Sequence, residues 1–480
     1  MSDCERVLPR TLKGCIDYLP ADLIALKRLI RKVEDLFEKY GFVPIETPAL
    51  EYLETLLGTG GEETNKELFR FESPEGEQIA LRFDLTVPFA RLLAQYPDKL
   101  KAPFRRYAIG PSWRADKPGP GRFRQFTQFD IDVAGADSVV VDAELVAVMC
   151  EVMAAVGAPD YCVLVNNRKL VDALLEDCGI ADGARHKHVL RIIDKLAKVG
   201  LENVRLELAD GRIDESGDPI PGAGLDRQTV DKIVAFIGLS GGTRAGTVEA
   251  LAGLLPQSAA AKAALGEMRE LAAALDALGV SESHVKFDPS LARGLDYYTG
   301  PVFEVILPDA PQFGAVGGGG RYDGLVGRFM GRKIPCSGIS GGLDRLMAAL
   351  EYLGAIQKTK TTVQALVVTV GKTPKTEVLK IAAELRAAGI RTEPYFAKKK
   401  KMGMSDQLSH ADHYGIPVAV IVGEDELAQG VVAVKDLRAG KEGRQDIADR
   451  DAYRKAGKTG QVTVPRAEMV ETVKSLLASD

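Results

Sequence analysis

Cysteine is sparse and scattered: Cys4, Cys15, Cys150, Cys162, Cys178 and Cys336 form no CxxC pair in 480 residues. That argues against a disulfide scaffold or a zinc ribbon. Histidine is scarcer still, with five residues and none at ligand spacing from a cysteine, so no structural metal is expected. No apolar run approaches the roughly 18 residues needed to span a bilayer. The opening MSDCERVLPR has no signal-peptide hydrophobic region, so the chain is expected to be cytoplasmic, with no membrane partner. A surplus of one charge is missing too. The 62 basic and 67 acidic residues leave a net charge of −5. That excludes a protein held to nucleic acid by bulk charge, but not one that meets it with a local basic patch. Neither a GxxxxGK[ST] loop nor a GxGxxG between a predicted strand and helix occurs. If a nucleotide is bound, another device holds it.

What is present is an ordinary globular composition, 46% hydrophobic and 27% charged, long enough for about two to four domains. Apolar residues from Leu26 to Tyr40 recur at helical spacing after Pro20 and Asp22, and Gly41 ends the pattern; a helix over 20–40 follows. The prolines in Phe42-Val-Pro-Ile-Glu-Thr-Pro48 keep the next segment extended. Residues 67–135 alternate as strands do, with helices over 86–95 and 141–156. From about 181 to 275 aromatic residues nearly vanish and Ala, Leu and Lys rise, which reads as a mostly helical insertion. Strand texture returns at 284–343. After a linker at Gly354–Thr361, strands over 362–370, 390–395, 417–422 and 431–436 alternate with helices over 375–388 and 404–414. That pattern predicts a small α/β domain with a largely parallel sheet. The short basic run Lys398–Lys401 is read as solvated surface.

Three stretches carry chemistry. In Trp113-Arg-Ala-Asp116, the loop Lys117–Gly121 and Arg122-Phe-Arg-Gln-Phe126-Thr-Gln128, two strands would project arginines with aromatic residues among them. A guanidinium fork matches phosphate and a ring offers a face to a base, although a solvent-facing hairpin accounts for the same residues. Arg293-Gly-Leu-Asp-Tyr-Tyr298 places a charge pair and two tyrosines in an apolar stretch; buried, they need partners, although a strand end with a satisfied Arg–Asp pair accounts for them equally well. Gly317–Gly320 permits close backbone approach to a ligand. Gly341-Gly-Leu-Asp-Arg345 would lead a strand into a helix that carries Arg345 near its start.

Taken in order, Gly41–Pro48, Arg114–Phe126 and Gly341–Arg345 resemble motifs 1, 2 and 3 of the class II aminoacyl-tRNA synthetases. Arg293–Tyr298 is similar to the signature of the histidyl-tRNA synthetases, and Leu81–Thr86, Asn166–Arg168 and Gly320–Asp323 extend the resemblance over nearly the whole chain. The resemblance implies an α+β fold, with an antiparallel-sheet catalytic core interrupted by a helical insertion and followed by an α/β anticodon-binding domain. The expected division is 1–180 and 276–355 for the core, 181–275 for the insertion and 362–480 for the C-terminal domain. It implies activation of L-histidine with ATP, magnesium accompanying the nucleotide, and transfer of histidine to histidine tRNA by a homodimer. Among the implied roles, Arg114 and Arg293 stabilise the α-phosphate, with Arg114 also reaching the histidine carboxylate. Asp116, Arg122, Phe126 and Arg345 bind ATP. Asp84, Thr86 and Gln128 fix the α-ammonium, Asp132 and Tyr298 meet the two imidazole nitrogens with Tyr297 alongside, and Leu85 also belongs to the histidine site. One departure stands out: Lys117 and Gly119 occupy the loop positions where common bacterial relatives place an arginine and a glutamine that read an extra 5′ guanine.

Overall fold

The computed structural model describes residues 7–58, 65–180, 183–214, 216–239, 242–292, 297–396, 403–439 and 460–478. Lys398–Lys401 and Arg293–Asp296 lie outside them. The chain divides into two units, Met1–Asp17 with Leu26–Ile356, and Tyr18–Ala25 with Gln357–Asp480. Among the described residues no helix is long and apolar enough to cross a membrane.

The first unit is built on an eight-stranded sheet: β1 (Val43–Pro44), β2 (Phe104–Trp113), β3 (Gln125–Ala134), β4 (Cys162–Asn167), β5 (Val285–Phe287), β6 (Pro301–Ile306), β7 (Gly317–Arg321) and β8 (Cys336–Gly342). The strand order is β1-β2-β3-β8-β7-β6-β4-β5. The six inner strands run antiparallel, and the short strands β1 and β5 add in parallel at the edges. The helix Pro20–Lys39 carries Asp22 in its first turn and Lys39 in its last, each favourable to the helix dipole. Its residues Leu26, Leu29, Val33, Leu36 and Phe37 are buried. Phe37 stands 5.7 Å from the rings of both Tyr107 and Phe129, which seats this helix on β2 and β3. Gly41, at φ +75°, ends the helical stretch.

The four-glycine run falls within the strand texture expected over 284–343. It is β7, fully buried in the middle of the sheet. A Cβ at Gly319 would lie 2.1 Å from the Gly338 carbonyl oxygen, and one at Gly317 2.9 Å from that of Ser340. The close backbone approach expected of these glycines is therefore made in part to β8, the neighbouring strand.

Residues 183–277 are mainly helical. Asp226, Thr243 and Ser258 cap three of the helices by accepting from backbone N–H groups. A two-stranded hairpin, Gly211–Ile213 with Pro219–Pro221, interrupts them. The second unit holds a five-stranded sheet of β9 (Ala365–Thr369), β10 (Thr392–Pro394), β11 (Val418–Val422), β12 (Val431–Asp436) and β13 (Gln461–Pro465), in the order β10-β9-β11-β12-β13. Its first three strands are parallel and its last two join antiparallel, so the sheet is less parallel than the alternation predicts. Only the short helix Glu424–Gln429 separates β11 from β12, too little chain for the crossover that a parallel pair requires.

Candidate active site

Strand β2 runs Arg106, Ala108, Gly110 and Ser112 opposite Asp132, Asp130, Gln128 and Phe126 of β3. The period-2 alternation of a strand then puts Phe126, Gln128, Asp130 and Asp132 on one face. Beyond the paired strands the hairpin continues: Arg114 N–H donates to the Arg124 carbonyl at 2.9 Å, and Gly119 and Arg122 close the turn. Gly121 sits there at φ +61°, and a Cβ on it would come within 3.0 Å of the Arg345 Cα. Only glycine lets this turn lie against the helix Leu343–Tyr352 that carries Arg345.

A cavity of about 110 Å³ opens between hairpin and helix, lined by Arg114, Asp116, Arg122, Phe126, Gln128, Gly317, Gly318, Ser340 and Arg345 among others. Arg345 is held by donating Nη1–H to the Ala315 carbonyl at 2.8 Å. Asp116 is ion-paired with Arg122. The Arg114 guanidinium lies 4.3 Å from the Phe83 ring and 5.1 Å from the Phe126 ring, and its Nε donates to the Phe83 carbonyl at 3.3 Å.

A second cavity, about 370 Å³, is lined by Asp84, Thr86, Arg114, Gln128, Asp130, Asp132, Tyr297, Tyr298, Gly318, Tyr322 and Ser340 among others. One Asp84 oxygen accepts from the Thr86 and Val87 N–H groups at 3.2 and 2.9 Å, which tethers it to the start of the helix Thr86–Gln95. Asp132 faces the fully buried Arg106 at 2.6 Å and accepts from the Tyr322 hydroxyl. Burial pushes the carboxyls of Asp84, Asp130 and Asp132 above the usual carboxylate range, with Arg106 opposing the shift at each. It also raises the phenols of Tyr297 and Tyr322, so both stay protonated as donors. The Tyr297 and Tyr298 rings meet edge to face, centroids 4.9 Å apart.

The two cavities share a wall. Arg114, Gln128, Gly318 and Ser340 line both. The fold thus brings Arg114, Asp116, Arg122, Phe126 and Arg345 around one space and Asp84, Thr86, Gln128, Asp132, Tyr297 and Tyr298 around its neighbour. Leu85, expected at the histidine site, is buried and lines neither cavity; its carbonyl accepts from Arg106 Nη2 at 3.2 Å. Arg293 lies outside the described residues. Sequence reasoning passed over Asp130, Arg106, Tyr322 and Ser340. Asp130 was accessible, since it sits two residues from both Gln128 and Asp132 on the same strand. Arg106 and Tyr322 reach Asp132 only through strand pairing and packing, which have no local signature. Among the described residues no group of three His, Cys, Asp or Glu could hold a metal ion. His410, on the helix Met404–Tyr414, pairs with Glu393 at 3.0 Å.

Comparison with known proteins gives one answer. A family model described as histidyl-tRNA synthetase matches residues 14–346, and a model described as anticodon binding domain matches residues 364–476. The histidine–tRNA ligase of Rhizobium meliloti is 41% identical over 492 aligned residues, covering 99% of this chain and 96% of that protein. The histidine–tRNA ligase of Paracoccus denitrificans is 42% identical over 486 residues, covering 97% of each. The crystal structure of histidyl-tRNA synthetase from Nostoc sp. PCC 7120 superposes with a TM-score of 0.81 at 31% identity, over 98% of this chain and 100% of that one.

Proposed function

The chain belongs to the histidyl-tRNA synthetase family and ligates histidine to its tRNA; we propose that its two cavities divide the substrates between them. ATP occupies the cavity between hairpin and helix. Phe126 stacks on one face of the adenine, Arg345 covers the other and reaches the terminal phosphate, and Asp116 accepts from the exocyclic amine while paired with Arg122. Histidine occupies the second cavity. Asp84, Thr86 and Gln128 accept from its α-ammonium. Asp132 and Tyr298 meet the imidazole nitrogens, with Tyr297 packed alongside.

The shared wall carries this reading, because the histidine carboxylate and the ATP α-phosphate have to meet where the cavities meet. Arg114 stands there, clamped between two rings and tied to a backbone carbonyl. A fixed guanidinium stabilises the charge that grows on the α-phosphate as a carboxylate oxygen attacks phosphorus and pyrophosphate leaves. Arg293 is assigned to the same phosphate. In the second step a hydroxyl of the tRNA's terminal adenosine attacks the acyl carbon and AMP departs. Magnesium would enter as the counter-ion of ATP, held by phosphate oxygens and water; the described residues offer no cage for it, and no step is drawn through it.

The same proposal takes residues 181–275 as an insertion into the core and 362–480 as the anticodon-binding domain. It also pairs two copies through the segment after the first helix, where Val43, Leu50 and Tyr52 are exposed. The test is histidine-dependent ATP–pyrophosphate exchange followed by charging of histidine tRNA. If histidine fails to stimulate exchange, the division of substrates falls.

A further inference from the structure

Asp130 is 1% exposed and lines the second cavity, yet the roles above leave it none. Both of its oxygens are engaged. Oδ1 accepts from Gln128 Nε2–H at 2.7 Å, and Oδ2 accepts from the Thr86 hydroxyl at 3.1 Å, with Arg106 Nη2 3.5 Å away. Those two partners are the side chains assigned to the α-ammonium of histidine.

The donor and acceptor inventory makes this informative. An ionised carboxylate, the form Asp130 takes only above its raised pKa of about 7, accepts without donating, an amide has one donor end and one acceptor end, and a hydroxyl has one proton. Once Asp130 accepts from Gln128 Nε2, Gln128 Oε1 is the end left for the ligand. Once it takes the Thr86 proton, only lone pairs of Thr86 Oγ1 remain. An ammonium group carries donors alone, so it needs two acceptors in that place. Without Asp130 the amide can flip and the hydroxyl can rotate, each then presenting a proton to a proton.

We infer that Asp130 is a positioning residue that sets the hydrogen-bond polarity of Thr86 and Gln128, so that both offer acceptors to the substrate's α-ammonium. The inference rests on the assignment of those two residues to the ammonium, and the experiment separates the two claims.

Two competitive probes differ at the relevant group. L-Histidinol keeps the ammonium and lacks the carboxylate; imidazole-4-propionate keeps the carboxylate and lacks the ammonium. Their inhibition constants are measured in the exchange reaction on the full-length enzyme at about pH 8.5, where Asp130 is ionised. Asp130→Asn keeps the shape but can satisfy only one of its two partners in the present sense. It should raise the histidinol constant and the histidine KM together, about tenfold or more, while the imidazole-4-propionate constant and the ATP KM stay within about twofold. Asp130→Ser, smaller and neutral, must show the same split, and stands in if the asparagine variant does not fold. Equal weakening of both probes would make Asp130 merely structural and overturn the inference, as would no change in either. Thr86→Val serves as the check on the premise. If it too fails to separate the probes, the ammonium assignment is what has failed; if it separates them while the Asp130 variants do not, the failure is confined to Asp130.

Discussion

Replacing Gly338 by alanine should damage one substrate site and spare the other. Gly338 of β8 lies opposite Asp132 of β3. A Cβ there would fall 1.9 Å from Asp132 Oδ1 and 2.9 Å from the Ile131 carbonyl oxygen. Gly338 is not among the left-handed glycines, so alanine adds no backbone strain and the whole effect is the contact. An exposed carboxylate would swing aside at little cost. Asp132 is 2% exposed, faces Arg106 at 2.6 Å and holds the Tyr322 hydroxyl, so moving it breaks a charge-assisted hydrogen bond inside the protein. The displaced carboxylate also loses the hydrogen bond it makes to the substrate imidazole; a hydrogen bond to a charged group contributes about 1.5–3 kcal/mol, and each 1.36 kcal/mol is tenfold. The histidine KM should therefore rise roughly 10- to 100-fold. Gly338 lines the second cavity and is not among the residues lining the first, so the ATP KM should stay within about twofold. The assay is pyrophosphate exchange with each substrate varied in turn, on variant protein whose far-ultraviolet circular dichroism matches the parent. An unchanged histidine KM, or equal losses for both substrates, would refute the placement of the imidazole against Asp132.

Other outcomes follow from the same reasoning. Arg293→Lys should lower adenylate formation about 10²-fold or more in the exchange assay with the fold intact, because a lysine point charge does not reproduce the guanidinium fork; near-normal exchange would remove its assigned role. Asp142, fully buried, accepts from Arg321 Nε and Nη2 at 3.1 and 2.5 Å and from Ser337 Oγ at 2.6 Å. Asp142→Ala should cost about 3 kcal/mol in denaturant unfolding, because Arg321 loses its closest carboxylate and keeps only Asp323 at 3.6 Å and two backbone carbonyls; a loss under about 1 kcal/mol would contradict this. Burial pushes the Asp130 carboxyl up to about 7, against Arg106 and alongside Asp132 and Asp84. The folded state therefore holds a proton that the unfolded chain has released, and the parent should lose stability relative to Asp130→Asn as pH rises from about 4 to 7; a parallel pair of pH–stability curves would count against it. Finally, with Asp116 paired to Arg122 and Pro118 packed against Gly14, the Lys117–Gly121 loop offers few groups to read a base edge. Charging of tRNA transcripts that differ only in the extra 5′ guanine should then differ by less than a hundredfold in kcat/KM, and a larger loss without the guanine would mean that the loop reads it.

What the sequence determined alone is whatever depends on neighbours along the chain. The Leu26–Phe37 spacing specifies a helix and its buried face. The alternation after Thr361 specifies an α/β unit. Phe126, Gln128 and Asp132 at even spacing commit one strand face to chemistry, and the order of Arg114, Tyr298 and Arg345 carries the resemblance to the synthetases. What only the tertiary structure decided is which of these groups meet. Arg106 finds Asp132 through the β2–β3 register and Tyr322 finds it through packing, 190 positions away. The glycine run, read along the chain, permits close backbone approach to a ligand; in the fold part of that approach is made to β8, its neighbour in the sheet. The antiparallel addition of β12 depends on a connection of eight residues, Gly423–Gly430, too short for a crossover. The division has a physical reason. Helical period, strand alternation and turn chemistry are short-range properties of the backbone, whereas a buried charge takes its partner from whichever strand the register places opposite it, and register is settled only when the whole sheet closes on its core.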